Sequence, residues 1–281
     1  MLHSAGLCEF SSFTTNYPTD PTSTPGTTIT SGGSANTKGS YTQLLAALAA
    51  DAYGVFIRLS DAASSSEDRQ HLVDIAIDPA GGSSYSVVIP DLNGGNAPLI
   101  GNGAGFQYYF PLRIPAGATV AARTQCLTSS RTIVVGIEVD HRPTRPEGWP
   151  RGALVERVGT ITSSRGVAFT PGTASDGTWV SLGTLTRACC WVQLGYSLAA
   201  SVANAERTYV DLGVGDASTK RVLMRSIYAA QSGPILRAIT VPNLVWSKAY
   251  HELPAGAELW VRGRCENAPD STYNALAYAM H

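Results

Sequence analysis

Charge is the scarcest resource in this chain. Only 15% of its 281 residues are Asp, Glu, Lys or Arg, against roughly a quarter in ordinary soluble domains. The net charge is -1, so no overall field draws the molecule to nucleic acid or to an anionic membrane. Lysine is nearly absent: Lys38, Lys220 and Lys248 are the whole set. The remaining cations are arginines, whose planar fork suits paired, partly buried contacts. A surface this poor in ions is built from Ser, Thr, Gly, Ala and Asn. Few groups lose hydration when such a surface is covered, which favours burial in an assembly; a plain Ser/Thr-rich solvent surface is the alternative.

Other absences exclude chemistry. No apolar run approaches the ~20 residues that span a bilayer, and MLHSAGLCEF lacks the basic-then-apolar layout of a signal peptide. The expectation is a chain made in the cytoplasm. Five cysteines, at 8, 126, 189, 190 and 265, form no CxxC or Cys/His pattern, so reduced thiols and no metal are expected. Five histidines, at 3, 71, 141, 251 and 281, form neither HxH nor HExxH. There is no GxSxG elbow and no phosphate loop; Gly101-Asn-Gly-Ala-Gly105 lacks the third spaced glycine and a following helix. The expectation is a protein that is not an enzyme, with no catalytic, cofactor-binding or metal residue.

What is present is a sequence that returns. Pro25-Gly-Thr27 recurs as Pro171-Gly-Thr173, and Gly39-Ser-Tyr-Thr-Gln-Leu44 as Gly177-Thr-Trp-Val-Ser-Leu182. Val73-Asp74 matches Val210-Asp211. Ile114-Pro-Ala-Gly-Ala118 matches Leu253-Pro-Ala-Gly-Ala257, followed at equal distances by Arg123 and Cys126, then Arg262 and Cys265. Several matches in one order imply tandem copies of one domain. Cys126 and Cys265 are then equivalent buried positions, while Asp74, Asp211, Arg123 and Arg262 alternate out of step with their apolar neighbours and face outward.

The two copies read as strands. Val55, Ile57 and Leu59 alternate, as do Val73, Ile75 and Ile77, and AGG, NGGN, GNGAG and PAG turns punctuate the runs. LLAALAADA, the one helix-like patch, falls in register with WVSLGTLTRACC and reads as strand and loop. The predicted fold is all-β: two tandem jelly-roll-like β-sandwiches related by duplication. Residues 1–24 form an extended N-terminal arm, 25–140 the first sandwich, 141–153 a Pro-rich linker holding the two apart, and 154–281 the second sandwich. Residues 11–40 hold 24 Ser, Thr, Pro, Gly or Asn among 30, so this stretch reads as extended chain ordered by what it lies against.

The runs Gly32–Leu44, Arg69–Ile77 and Tyr109–Arg123, with VDLGVG and LPAGAELWVRGRC in the second copy, resemble a virion structural protein of tailed bacteriophages. The second copy lacks the NTKGS stretch. The resemblance implies a non-enzymatic component of the particle, decorating or stabilising capsid, neck or tail. Its partners would be other virion proteins and copies of itself, a trimer more than a dimer. The alternative is an adhesin for a host-surface glycan or receptor, with Tyr108 and Tyr109, or Trp246 and Tyr250, as stacking candidates.

Overall fold

The computed structural model describes residues 13–16, 26–61, 70–96, 106–141, 152–198, 206–231, 253–266 and 272–281. Among these the chain is all-β. No helix among them is long and apolar enough to cross a membrane. Numbered in chain order, the first half gives β1 (Phe13–Thr15), β2 (Thr27–Thr30), β3 (Thr42–Leu45), β4 (Gly54–Asp61) and β5 (Gln70–Asp78). It continues with β6 (Ser86–Asn96), β7 (Phe106–Phe110), β8 (Thr119–Cys126) and β9 (Thr132–Asp140). The second half gives β10 (Val155–Val158), β11 (Val167–Phe169), β12 (Gly172–Thr173), β13 (Val180–Thr184) and β14 (Trp191–Leu198). Last come β15 (Glu206–Gly215), β16 (Lys220–Gln231), β17 (Glu258–Cys265) and β18 (Tyr273–Met280).

In the first sandwich β9 is flanked by β4 on one side and by β1 and β2, end to end, on the other; β7 lies beyond β4. The facing sheet runs β3-β8-β5-β6. A sheet of order 2-9-4-7 against one of order 3-8-5-6 is the interleaving of a jelly roll. The second half repeats the pairing. β18 takes β14 on one side and β10 and β11 on the other, while β13, β17, β15 and β16 make the facing sheet. Matched loops share backbone hydrogen bonds: Gly39 N to Thr124 O at 2.9 Å and Gly177 N to Gly263 O at 2.8 Å. In both Pro-Ala-Gly-Ala turns the glycine is left-handed, with φ of 82° at Gly117 and 83° at Gly256. The LLAALAADA stretch begins in β3 and leaves it as loop.

Two expectations need correction. The first concerns the arm. Phe13–Thr15 are a strand of the first sheet, paired to Glu138–Asp140. Asn16 extends this edge, donating to Thr27 Oγ1 and Val135 O and accepting from Ile137 N. The rest of the 1–24 span lies outside the described residues.

The second concerns separation. The linker does not hold the sandwiches apart; they touch directly. β17 shows why one strand is solvent-facing: Leu259, Val261 and Cys265 are buried while Glu258, Trp260, Arg262 and Arg264 face out. β18 has no such alternation, and all eight of its residues are buried. Tyr273, Ala275, Ala277 and Ala279 enter the second core, and Leu276, Tyr278 and Met280 enter the first. A strand apolar on both parities must be covered on both faces. Of the linker span, 142–151 lies outside the described residues, and Ala153 N donates to His281 O at 3.1 Å.

Candidate functional site

Three places gather polar side chains. The first is a pair of matched ion clusters on the outer faces of the β5 and β15 sheets. Asp74 and Arg123 are cross-strand neighbours, as are Asp211 and Arg262. Arg123 Nε lies 2.9 Å from Asp74 Oδ2, and Arg262 Nε lies 3.0 Å from Asp211 Oδ2. Each guanidinium covers an aromatic ring at the matched position, Tyr41 at 4.6 Å and Trp179 at 4.5 Å. The third partner differs in sign. Lys38 Nζ reaches Asp74 Oδ1 at 2.8 Å and Asp91 Oδ1 at 2.6 Å, whereas Asp176 accepts from Arg262 Nη2 at 2.6 Å. The outward acids and arginines read from the sequence are thus each other's partners.

These clusters are built to stay ionised. Burial opposes the charge of Asp74. The attraction and hydrogen bond of Lys38, the Asp91 amide and Arg123 outweigh it, and its carboxyl is held below the usual range. A carboxylate in that state accepts hydrogen bonds but has no proton to give at neutral pH. The Tyr41 phenol is pushed up by burial, against the pull of Arg123.

The second place is the seam between the sandwiches, which reading the sequence strand by strand did not assemble. Asn93 of β6 sits at its centre. Its N–H donates to Tyr278 Oη at 2.7 Å, its carbonyl accepts from Tyr108 Oη at 2.5 Å, and its amide donates to Asn274 Oδ1 at 3.1 Å. Ser197 Oγ lies 3.2 Å from both Asn93 Oδ1 and Gln70 Oε1. Tyr278 Oη donates on to Asp91 O at 2.9 Å. Burial pushes the phenols of Tyr108 and Tyr278 far above their usual range, so both remain neutral donors. Gly195 is what lets these rings meet, since a Cβ there would lie 2.5 Å from Tyr108 Oη. Tyr108 and Tyr109 are sealed in this region and offer no stacking platform; Trp246 and Tyr250 lie outside the described residues.

The third place is an open cleft of about 500 Å3 at one end of the second sandwich. Its lining includes Thr184, Asp216, Arg221, Glu258 and the Leu253–Ala257 turn. Its acids are already engaged. Asp216 closes its own turn, accepting from the N–H and hydroxyl groups of Ser218 and Thr219, which depress its carboxyl strongly. Glu258 accepts from Ser181 Oγ at 2.5 Å.

The other residues weighed from sequence scatter. His71 is buried beside Thr124, 3.2 Å from its hydroxyl; His141 bridges Thr14 and Asp51 O; His281 meets Glu156 at 2.9 Å. His3, His251, Cys8 and the 101–105 glycine run lie outside the described residues. Cys126 and Cys265 are fully buried at matched ladder positions, opposite His71 and Thr208. Among the described residues no three His, Cys, Asp or Glu side chains converge as a metal site would require.

No protein-family model matches the chain. Nor does any curated protein. Solved structures do resemble it. PNGF-II aligns at 12% identity and TM-score 0.34, covering 97% of this chain and 66% of that one, so this chain spans just under two thirds of that length. The STIV MCP aligns at 9% identity and TM-score 0.37, covering 95% and 97%. PNGase F, a glycosylasparaginase from Flavobacterium meningosepticum, aligns at 8% identity and TM-score 0.32, covering 92% and 96%. Likenesses this distant carry no argument about function.

Proposed function

We propose that this chain is a non-enzymatic structural subunit of a virus particle, a tailed bacteriophage by its sequence resemblance, present in many copies and held by protein–protein contacts. One observation carries the reading: a sheet buried on both faces welds two jelly-roll-like sandwiches of the same pairing scheme into one block. We read that repetition as internal duplication. A duplicated block with few surface ions suits symmetric packing, in which each copy buries area against the next. The charges described above are spent on internal pairs rather than on a reactive centre. The adhesin reading loses its first candidate platform, because Tyr108 and Tyr109 are inside the seam.

Immunogold labelling of intact particles from the organism that carries this gene tests the proposal. Regularly spaced label is the expected result. Label absent from particles, or substrate turnover by the purified protein that one substitution abolishes, contradicts it.

A further inference from the structure

The seam joins unlike surfaces of two similar sandwiches, so each sandwich has a matched copy of both. The inserting surface lies on β14 and β18: Trp191, Leu276, Tyr278 and Met280 all belong to the first sandwich's core cluster. Arg157 of β10, paired to Tyr278, reaches Asp91 at 3.6 Å. The receiving surface is β6 with the 36–39 loop. Asn36 Oδ1 accepts from Ser164 Oγ at 2.9 Å, and Lys38 holds Asp91 at 2.6 Å.

The strand registers show what stands at the matched inserting surface. Val55 pairs with Val139 as Val192 pairs with Ala279, and Thr15 pairs with Glu138 as Arg157 pairs with Tyr278. Trp191, Leu276, Tyr278, Met280 and Arg157 thereby correspond to Gly54, Gly136, Glu138, Asp140 and Thr15. The two glycines leave empty the volume of an indole and a leucine. An ionised Glu138 has no proton to give, whereas Tyr278 donates to Asp91 O. Thr15 carries no charge for a carboxylate. Val134, Gly136 and Asp140 are buried already, so this face is closed within the chain.

The matched receiving loop is blank as well. Asn36 and Ala174 are both left-handed, with φ of 59° and 54°, and their N–H groups donate to Cys126 O and Cys265 O at 2.7 and 2.8 Å. Ala174 therefore stands where Asn36 does, with no amide for a serine. Asp176 stands where Lys38 does, and it is spent on Arg262 at 2.6 Å. We infer that the contact between the sandwiches is self-limiting: the chain owns one working inserting surface and one working receiving surface, and each occupies the other. A second copy of the chain cannot continue the pairing at either end. Unlike surfaces that stayed competent would extend head to tail into a ring or a filament. The inference stands apart from the multi-copy reading; under that reading, copies meet through other surfaces.

The test uses the full chain with p-benzoylphenylalanine in place of Glu138 or, separately, of Trp191. An equal mixture of unlabelled and isotope-labelled chains is irradiated over a range of concentrations and mapped by peptide mass spectrometry. Position 191 should join residues 106–110 of its own chain, where Trp191 meets Tyr109. Position 138 should give no adduct with residues 174–176 or with β16 of another copy at any concentration. An adduct of that kind overturns the inference, as does a 191 adduct that joins two chains. Glu138 is half-buried, so its variant tests the inference even where the 191 variant does not fold. Sedimentation of the same samples keeps the two readings apart. Chains that assemble without the 138 adduct support both. Chains that stay monomeric without it support the inference and remove the multi-copy reading.

Discussion

Asp74 is buried among three partners, and the loop residue Lys38 matters most among them because it also reaches Asp91. Removing one partner of a buried ion pair costs more than the pair contributes, since the other charge stays behind without compensation. Lys38→Met should therefore destabilise the protein by about 2–3 kcal/mol in urea titrations. Arg123 still faces Asp74, so the loss is less than for an isolated pair. The pH dependence has a definite sign. The folded-state carboxyl of Asp74 lies below its unfolded value, so its stabilisation is complete above the ordinary carboxylate pKa of about 4. It is lost as pH falls through the depressed folded value. Thermal melts of wild type should drop over that acid window, and Lys38→Met should flatten the drop. Alternation in the sequence placed Asp74 and Arg123 on the outer face. That they pair with each other depends on register between strands nearly fifty residues apart, which one sequence does not carry.

At the scale of elements, strands and turns were written locally and their covering was not. The Pro-Ala-Gly-Ala turns fold alike because each needs one left-handed residue, and glycine supplies it without a Cβ clash. No atom lies within 4 Å of a Cβ built on Gly117 or Gly256, so the backbone alone is strained by substitution. Gly256→Ala should cost about 1 kcal/mol, read as a shifted urea midpoint at constant slope, and Gly117→Ala the same. A cost confined to one of the two would mean the turns are not equivalent. β18 carried a signal that reading strand by strand passed over: YNALAYAM is apolar at both parities with only Asn274 polar, the mark of a strand covered on both faces. β1 was hidden for a different reason. Phe13-Thr-Thr15 is too short and too polar a run to show periodicity, and its strand conformation comes from the open edge of β9.

For the whole molecule, the shared core decides behaviour. Leu276, Tyr278 and Met280 of β18 belong to the first sandwich's cluster, so neither half closes its core alone. Calorimetry should show one cooperative transition for the full chain rather than two. Residues 154–281 expressed alone should aggregate, because the seam face of β18 becomes exposed apolar surface. Two transitions of comparable size would return the sandwiches to independence, as beads on the linker. The repeat in the sequence pointed to two similar halves; the weld between them came from tertiary contacts between strands far apart in the chain, beyond the reach of local pattern. The account's central claim is that this welded block is one subunit of many. Sedimentation velocity across a hundredfold concentration range tests it most directly. The account predicts a concentration-dependent shift from monomer to a larger assembly. A single monomeric boundary at every concentration would contradict it.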